Sequence, residues 1–522
     1  MNRQPRTAGA EDDTGWNPLL LKPRRWRRAL SLSPFILRTL ALSAVTLTIV
    51  FLALQFLIPA RLVISGMGAV GRPSVAMGIL FAFLWCLSAL RPGGLPAGRQ
   101  PIRWLIGIHF AVQLIGYAIG MYRIPVVVEA NAGDRWIIFM TAMSGVALLI
   151  ADGLQTRAQL DRILRVTVAL TTVMAVVGIL QYLRIIDLTR YVRIPGLSAN
   201  SALLGTGSRG DLALARVAGT ANHYIEFGVV LGLALPIALH FALFASKQGR
   251  SQALAWLQVA LIAAAIPMSI SRAAIITTAI TLALLFSVWK WRLRYGFLVV
   301  AGASTVVFYI LTRGLVGTIL SLFTHAESDP SIQNRLSDQS TVFALWHQSP
   351  VFGRGAGMII PERYILLDNQ FFVTLIAGGI VGVLALTSLF VVPYVMARSI
   401  RLRAPREEDR HLGQALAATF PAAYIASFTF DSFSFATFTG LLFVLIGVVG
   451  ALWRLHDPNP VRTLEWSPSD SFVAPPILAP DHPRWRSRFV IGTREDVRVD
   501  DHPVPQHACS TGQTGAATER GL

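Results

Sequence analysis

Apolar residues in this chain gather into long, nearly unbroken runs separated by shorter polar stretches. The runs fall at about 35–58, 74–90, 102–120, 136–151, 163–183, 223–245, 253–269, 273–289, 295–312, 370–396, 412–430 and 434–453. A helix rises 1.5 Å per residue, so crossing about 30 Å of hydrocarbon takes roughly 20 mostly apolar residues. The pattern therefore predicts an all-α polytopic membrane protein of about twelve transmembrane helices over residues 34–454. The run 253–269 is short, and the pair that meets at Ser271-Arg272 also reads as one broken helix, which would reverse the direction of everything after it.

Charge separates the two counts. With Arg24-Arg25-Trp26-Arg27-Arg28 in the cytoplasm, twelve spans put Arg91, Arg99 and Arg103 inside, then Arg157, Arg162 and Arg165, then Lys247 and Arg250. Lys290, Arg292 and Arg294 follow, then Arg398, Arg401, Arg403 and Arg406. All of these obey the positive-inside bias, whereas merging the runs around Arg272 would move the last two groups outside. Both termini are then cytoplasmic, in the inner membrane. A basic arm at 1–33 and a Pro-rich tail at 455–522 read as disordered cytoplasmic segments. The external connections 184–222 and 313–369 are long, and the second, between spans nine and ten, is large enough to fold over a site.

Composition agrees: 53% of residues are hydrophobic and 14% charged, which excludes a soluble globular domain. The net charge of +18 lies between apolar runs rather than on a basic face, so it argues for membrane topology and against nucleic acid. Cys86 sits in an apolar run and Cys509 in the tail, which implies neither a disulfide nor a thiolate metal site.

Several charged residues break the topology rule. Connection 184–222 carries Arg184, Arg190, Arg193, Arg209 and Arg216 against Asp187 and Asp211, a basic surplus on the outer side. Such arginines hold lipid phosphates or, as a group, an anionic ligand. Arg272 places a guanidinium in a tight turn between two apolar runs, and guanidinium forks suit phosphate oxygens. Downstream of Arg216, residues Asn222, His223 and Glu226 share one face at the amino end of the sixth span, where unsatisfied N–H groups favour an anion. An N-cap role for Asn222 and a dipole-complementing role for Glu226 are the structural alternatives. Asp368 opens the tenth span in Leu367-Asp368-Asn369-Gln370, as a candidate general base or a helix cap. Asp431, between the last two spans, carries the same ambiguity with a weaker claim. The small residues Gly378, Gly379 and Gly382 that follow predict close helix packing.

Gly205 through Gly210 spells GxGxxG but opens no βαβ unit. Walker A, His-Glu-x-x-His and nucleophile-elbow patterns are missing from the sequence.

Taken in order, Arg216 through His223, Ser271-Arg272-Ala273-Ala274, Asn334-Arg335 through Trp346, Pro350 through Gly357, and Asp368-Asn369 through Gly382 resemble the O-antigen ligase and polymerase superfamily of bacterial envelope enzymes. The resemblance covers roughly residues 35–453 and rests on the order and placement of degenerate motifs. The family typically has His-Asn where this chain has Asp368-Asn369, a change that keeps a proton acceptor.

The resemblance implies a GT-C-like membrane fold. It also implies transfer of a glycan from a polyprenyl-diphosphate carrier to a glycan or lipid hydroxyl acceptor, at the outer face and without metal or cofactor. Arg216 and Arg272 would hold the diphosphate, Asp368 or Glu226 would take the acceptor proton, and His223, Asn369 and Arg335 would contact substrate. A transporter or flippase for an anionic or lipid-linked solute is the rival from another class, since many carriers share the twelve-span plan. The late loop is atypical of a simple carrier, and no repeat relates the halves. Ligase and polymerase share donor chemistry and are not separated by these residues.

Overall fold

A computed structural model describes residues 43–456, except 97, 201–206, 210–213, 312–313, 325–329 and 362. The amino-terminal arm and nearly all of the carboxyl tail lie outside the described residues.

The described chain is helical, with α1 (Ala44–Phe56), α2 (Pro73–Ala89), α3 (Pro101–Tyr122), α4 (Val127–Gly153), α5 (Arg157–Tyr182), α6 (Tyr224–Phe244) and α7 (Gln252–Met268) in its first half. There follow α8 (Arg272–Phe286), α9 (Trp291–Leu311), α10 (Leu315–Thr324), α11 (Pro330–His347), α12 (Gln370–Arg403), α13 (Glu407–Ala426) and α14 (Ala436–Leu455). Short 3-10 turns and two short antiparallel pairs lie in the connections. β1 (Leu62–Val63) joins β2 (Ser198–Ala199), and β3 (Gly207–Arg209) joins β4 (Leu214–Arg216), so residues 207–209 of the GxGxxG stretch are part of a strand pair.

Where it is described, each of the twelve apolar runs falls on its own helix, α1 to α9 and α12 to α14. Seven of these, namely α3, α4, α5, α6, α9, α12 and α14, are long and apolar enough to cross a membrane by length and composition; α1, α2, α7 and α8 are shorter apolar helices. The chain is a polytopic α-helical membrane protein. The Ser271-Arg272 turn separates two helices: α7 ends at Met268, Ile270 has φ 46°, and α8 begins at Arg272.

Helices α6 and α14 are apolar all round and almost wholly buried, which places them at the centre of the bundle. Small residues let neighbours approach. A Cβ at Gly145 of α4 would come within 2.3 Å of the Ala82 amide nitrogen in α2, and Gly228 of α6 lies against Ser269 and Ala274. Helix α9 stands apart, with Trp291, Tyr295, Val300, Tyr309 and Ile310 exposed.

Ion pairs gather the basic connections at one end of the bundle. Arg103 meets Asp152 at 2.9 Å and Arg157 meets Asp409 at 2.9 Å, while Lys247 and Lys290 both approach Glu407, at 3.4 and 3.9 Å. The amino ends of α6, α8, α12 and α14 and the carboxyl ends of α5 and α7 form the opposite end.

Helix α12 is broken. Gly379 has φ 60° and ψ −160°, a region that essentially only glycine populates. Its groups freed by the break bond to the Pro350–Gly355 stretch of the late loop. Arg354 and Gly355 donate to the carbonyls of Ile376 and Ala377 at 2.8 and 3.0 Å, and the Ile380 and Val381 amides donate to Pro350 and Val351 at 2.9 and 3.1 Å. Non-helical backbone survives inside a membrane domain only where such partners satisfy it. The glycines here were expected to pack helices closely; Gly379 instead makes an opening into which the loop is spliced. Beyond the splice the loop packs on α3 and α4, with Gly355 and Met358 against Gly120 and Met358 also against Gly133.

Candidate functional site

Most of the candidate residues meet at the end opposite the ion-paired connections, around the amino turns of α6, α12 and α14. His223 is the N-cap of α6, and its Nδ1 accepts from the Ile225 amide at 3.2 Å. The cap offered as the structural alternative for Asn222 therefore falls one residue later; Asn222 is buried, and its Oδ1 has no hydrogen-bond partner among the described residues. The His223 ring stacks on Tyr224 (4.1 Å between centroids) and meets Phe435 at 5.6 Å. Arg216 comes in from β4, donating from Nη1 to the Tyr224 hydroxyl at 2.6 Å with its guanidinium 4.3 Å from the ring centre. That arrangement combines a charge-assisted hydrogen bond with a cation–π contact.

Glu226 is fully buried, and both carboxylate oxygens are committed. Oε2 accepts from the Asn222 amide at 3.0 Å, while Oε1 accepts from Thr437 and Phe438 at 2.7 and 3.2 Å, which caps the amino end of α14. The buried guanidinium of Arg72 supplies the opposing charge and bonds Thr437 Oγ1 at 3.1 Å. A carboxylate capping one helix from the first turn of another is a packing device. The geometry thus gives the structural alternative for Glu226 and keeps it from an acceptor hydroxyl.

The opposite holds for Asp368. Asn369 caps α12, its Oδ1 accepting from Phe371 and Phe372 at 2.9 and 3.3 Å, so Asp368 is left out of the cap and exposed. Asn369, expected to contact substrate, has that oxygen engaged by the helix. Gln370 then anchors the connection that leads into α14, which includes a 3-10 turn at Ser432–Ser434: its backbone amide donates to the Ser427 and Phe430 carbonyls, and its Oε1 accepts from the Phe433 amide at 2.7 Å. Phe430 packs on Phe435 at 5.4 Å, and Phe435 on His223. A continuous wall therefore joins Arg216, Tyr224, His223, Phe435, Phe430 and the Asn369–Gln370 cap beside Asp368.

Two more carboxylates feel Asp368. Burial raises Asp431 to about 7, the Asp368 charge adding to it against a hydrogen bond from Ser434, and burial with the same charge raises Asp338. Because Asp431 binds its proton more tightly than an ordinary carboxyl of 3.8, the stability it contributes is present below pH 3.8 and lost as pH rises through about 7. Asp431→Asn is neutral at every pH. Its thermal stability in detergent is expected to exceed the parent's by a margin that grows from about pH 4 to about pH 7 and is level above that; a margin independent of pH would refute the assignment.

Arg272 flanks the same end but faces another neighbour. Its Nη1 donates to the Leu322 carbonyl of α10 at 3.4 Å. Arg335 lies on α11, with its side chain outside the described residues. Beside Arg216 is a cleft of about 480 Å³ that sequence reasoning missed as a unit. Arg61, Arg184, Arg190 and Arg216 line it together with Asp187 and Gly219; Arg272 and Asp368 do not. Arg61 sits in the connection between α1 and α2, at the same end of the bundle as Arg216, where the charge rule that marked the later arginines also singles it out.

The stretch carrying Arg272, the spliced loop, Asp368 and the broken helix corresponds to a known family. Residues 257–387 match the O-antigen ligase family model. No curated protein matches the chain. The match bears out the resemblance over that stretch, and together with the apolar helices it supports a place in membrane-bound polysaccharide biosynthesis and, in general terms, in glycan transfer. The matched domain covers about a quarter of the 522 residues. Arg216, His223 and the α14 amino end lie outside it, and the wall described above connects them to it.

Proposed function

We propose that the protein transfers a glycan from a polyprenyl-diphosphate carrier to a hydroxyl acceptor at the outer face of the cytoplasmic membrane. In this reading the chain spans twelve times in a GT-C-like arrangement with both termini in the cytoplasm, and the ion-paired basic connections face inward. The observation that carries it is the wall that runs from the Arg216 guanidinium to the uncapped Asp368 of the O-antigen ligase domain.

Asp368 takes the proton from the acceptor hydroxyl as its oxygen attacks the anomeric carbon. The bond to the diphosphate breaks, and the lipid diphosphate leaves with the electron pair. Arg216 and Arg272 offset the charge that grows on the leaving oxygens, a task for guanidinium forks fixed in advance. His223 walls the site with its ring, and loop 313–369 covers the glycan. Glu226 is left to hold α6 and α14 together.

Arg216→Lys and Arg272→Lys keep the charge but lose the bidentate fork. With a lipid-linked oligosaccharide and a hydroxyl acceptor, each purified variant is expected to transfer at least about tenfold more slowly than the parent. Parental rates in both would remove the clamp. Movement of the intact donor across a vesicle membrane without transfer would make the protein a carrier instead.

A further inference from the structure

Glu129 has one task that its own helix explains and one that it does not. It stands in the first turn of α4, where Oε2 returns to the amide of the N-cap residue Val126 at 3.3 Å, half of a capping box. Oε1 reaches out of the helix instead. It accepts from the hydroxyl of Tyr364, 235 residues later in the chain, at 2.9 Å, and lies 3.3 Å from Nε of Arg363. The Glu129 side chain is 9% exposed and that of Arg363 49%, so the carboxylate is buried while its ionic partner stays in water. An exposed guanidinium adds little to such a pair, which leaves the half-buried Tyr364 hydroxyl to hold the late loop to α4.

Tyr364 also touches the splice. Its ring centre lies 5.5 Å from the Arg354 guanidinium, and the Arg354 amide is one of the donors that enter the break in α12. The Arg363 and Tyr364 amides both donate to the Ile360 carbonyl, at 3.2 and 3.1 Å, a turn that brings the two side chains to Glu129. From Tyr364 the chain runs through Ile365 and Leu366 to Leu367, which is buried with Val342 and Ile376. Asp368 follows, and then the Asn369 cap of α12. Among the described residues no hydrogen bond or ion pair holds the Asp368 side chain itself, so its place is set by the backbone fixed on either side of it. Four residues reach at most about 14 Å, and a clasp at Tyr364 therefore limits where Asp368 can go.

Resting on the transfer reading above, in which Asp368 is the base, we propose that Glu129 and Tyr364 are positioning residues. Their hydrogen bond fixes the amino side of the connection that carries Asp368, as the Asn369 cap fixes its carboxyl side. Both act through the Asp368 backbone rather than on the reacting atoms, and Glu129 extends the machinery to α4, outside the matched stretch.

The test is a double-mutant cycle on transfer by the purified full-length protein, with a lipid-linked oligosaccharide and a hydroxyl acceptor. Tyr364→Phe keeps the ring beside Arg354 and loses the hydroxyl. Its kcat is expected to fall about tenfold with the donor KM within about twofold of the parent, since a misplaced base costs rate rather than donor affinity. Glu129→Ala is expected to match it, whereas Glu129→Gln keeps an oxygen for the hydroxyl and is expected to stay within about threefold of the parent. In an Asp368→Asn background there is no base to misplace, and Tyr364→Phe is expected to cost nothing further. An equal loss in both backgrounds makes the pair a brace of the fold and overturns the proposal. So does a parental kcat in Tyr364→Phe beside an impaired Asp368→Asn, a result that spares the transfer reading. Absence of transfer by the parent overturns that reading and the positioning roles with it.

Discussion

Gly379→Ala is expected to abolish glycan transfer, while Gly378→Ala, one residue earlier, leaves it at the parental level. A Cβ at Gly379 would lie 2.4 Å from the Val351 carbonyl carbon and oxygen, on a residue with φ 60°; a Cβ at Gly378 meets nothing within 4 Å. The obstructing atoms are backbone, so no side chain can swing aside. The conformation itself costs an L-residue of order 1–3 kcal/mol. Expelling the loop then forfeits four backbone hydrogen bonds, each worth about 1 kcal/mol in water and more where water is scarce. Gly353→Ala meets the same obstacle from the other side, its Cβ 2.3 Å from the Ala377 carbonyl carbon at φ 69°. Limited proteolysis provides the structural readout, with new cleavage around residues 350–366 expected in the Gly379 and Gly353 variants alone. Equal activity of Gly378→Ala and Gly379→Ala would show that the splice does not hold the site.

The second large effect is at Asp368. Asp368→Asn keeps the shape and loses the proton acceptor, and general-base catalysis is worth about 10²–10⁴ in rate, so kcat is expected to fall at least about 100-fold with the donor KM little changed. Asp368→His restores an acceptor at the position where family members typically carry one. It is expected to recover transfer to within about tenfold of the parent, with a rate that climbs as pH passes about 6.5 and the imidazole becomes neutral. A parental kcat in Asp368→Asn would move the base elsewhere.

The helices were legible because hydrocarbon imposes one length and one polarity on every crossing. Where described, each apolar run falls on a helix for that reason, seven of them long and apolar enough to cross a membrane, and the Ser271-Arg272 turn was marked by the basic groups after it, which one merged helix would have placed outside. The roles of individual residues were less legible. Glu226 and Asp368 are both carboxylates beside the first turn of a helix, and their spacing to local neighbours does not tell them apart. What separates them is tertiary: Glu226 receives amides from a helix 211 residues later in the chain, and Asn369 caps the helix that Asp368 adjoins. The break at Gly379 was hidden for a related reason. A run of glycines reads as a packing stripe until its partner, the loop stretch at residues 350–355, is in place. Arg61 was within reach, since the reasoning that picked out Arg216 applies unchanged to the connection between α1 and α2.

The splice also bears on how such a protein can be remodelled. Helix α12 borrows hydrogen bonds from Pro350–Gly355, so neither segment is complete alone, and a foreign loop would leave the helix with bare carbonyls in its interior. The smallest interchangeable part is therefore not the loop but the stretch from about residue 348 to residue 382. Chimeras that exchange acceptor preference should move both partners of the seam together. Inheritance would be expected to treat them as one module too.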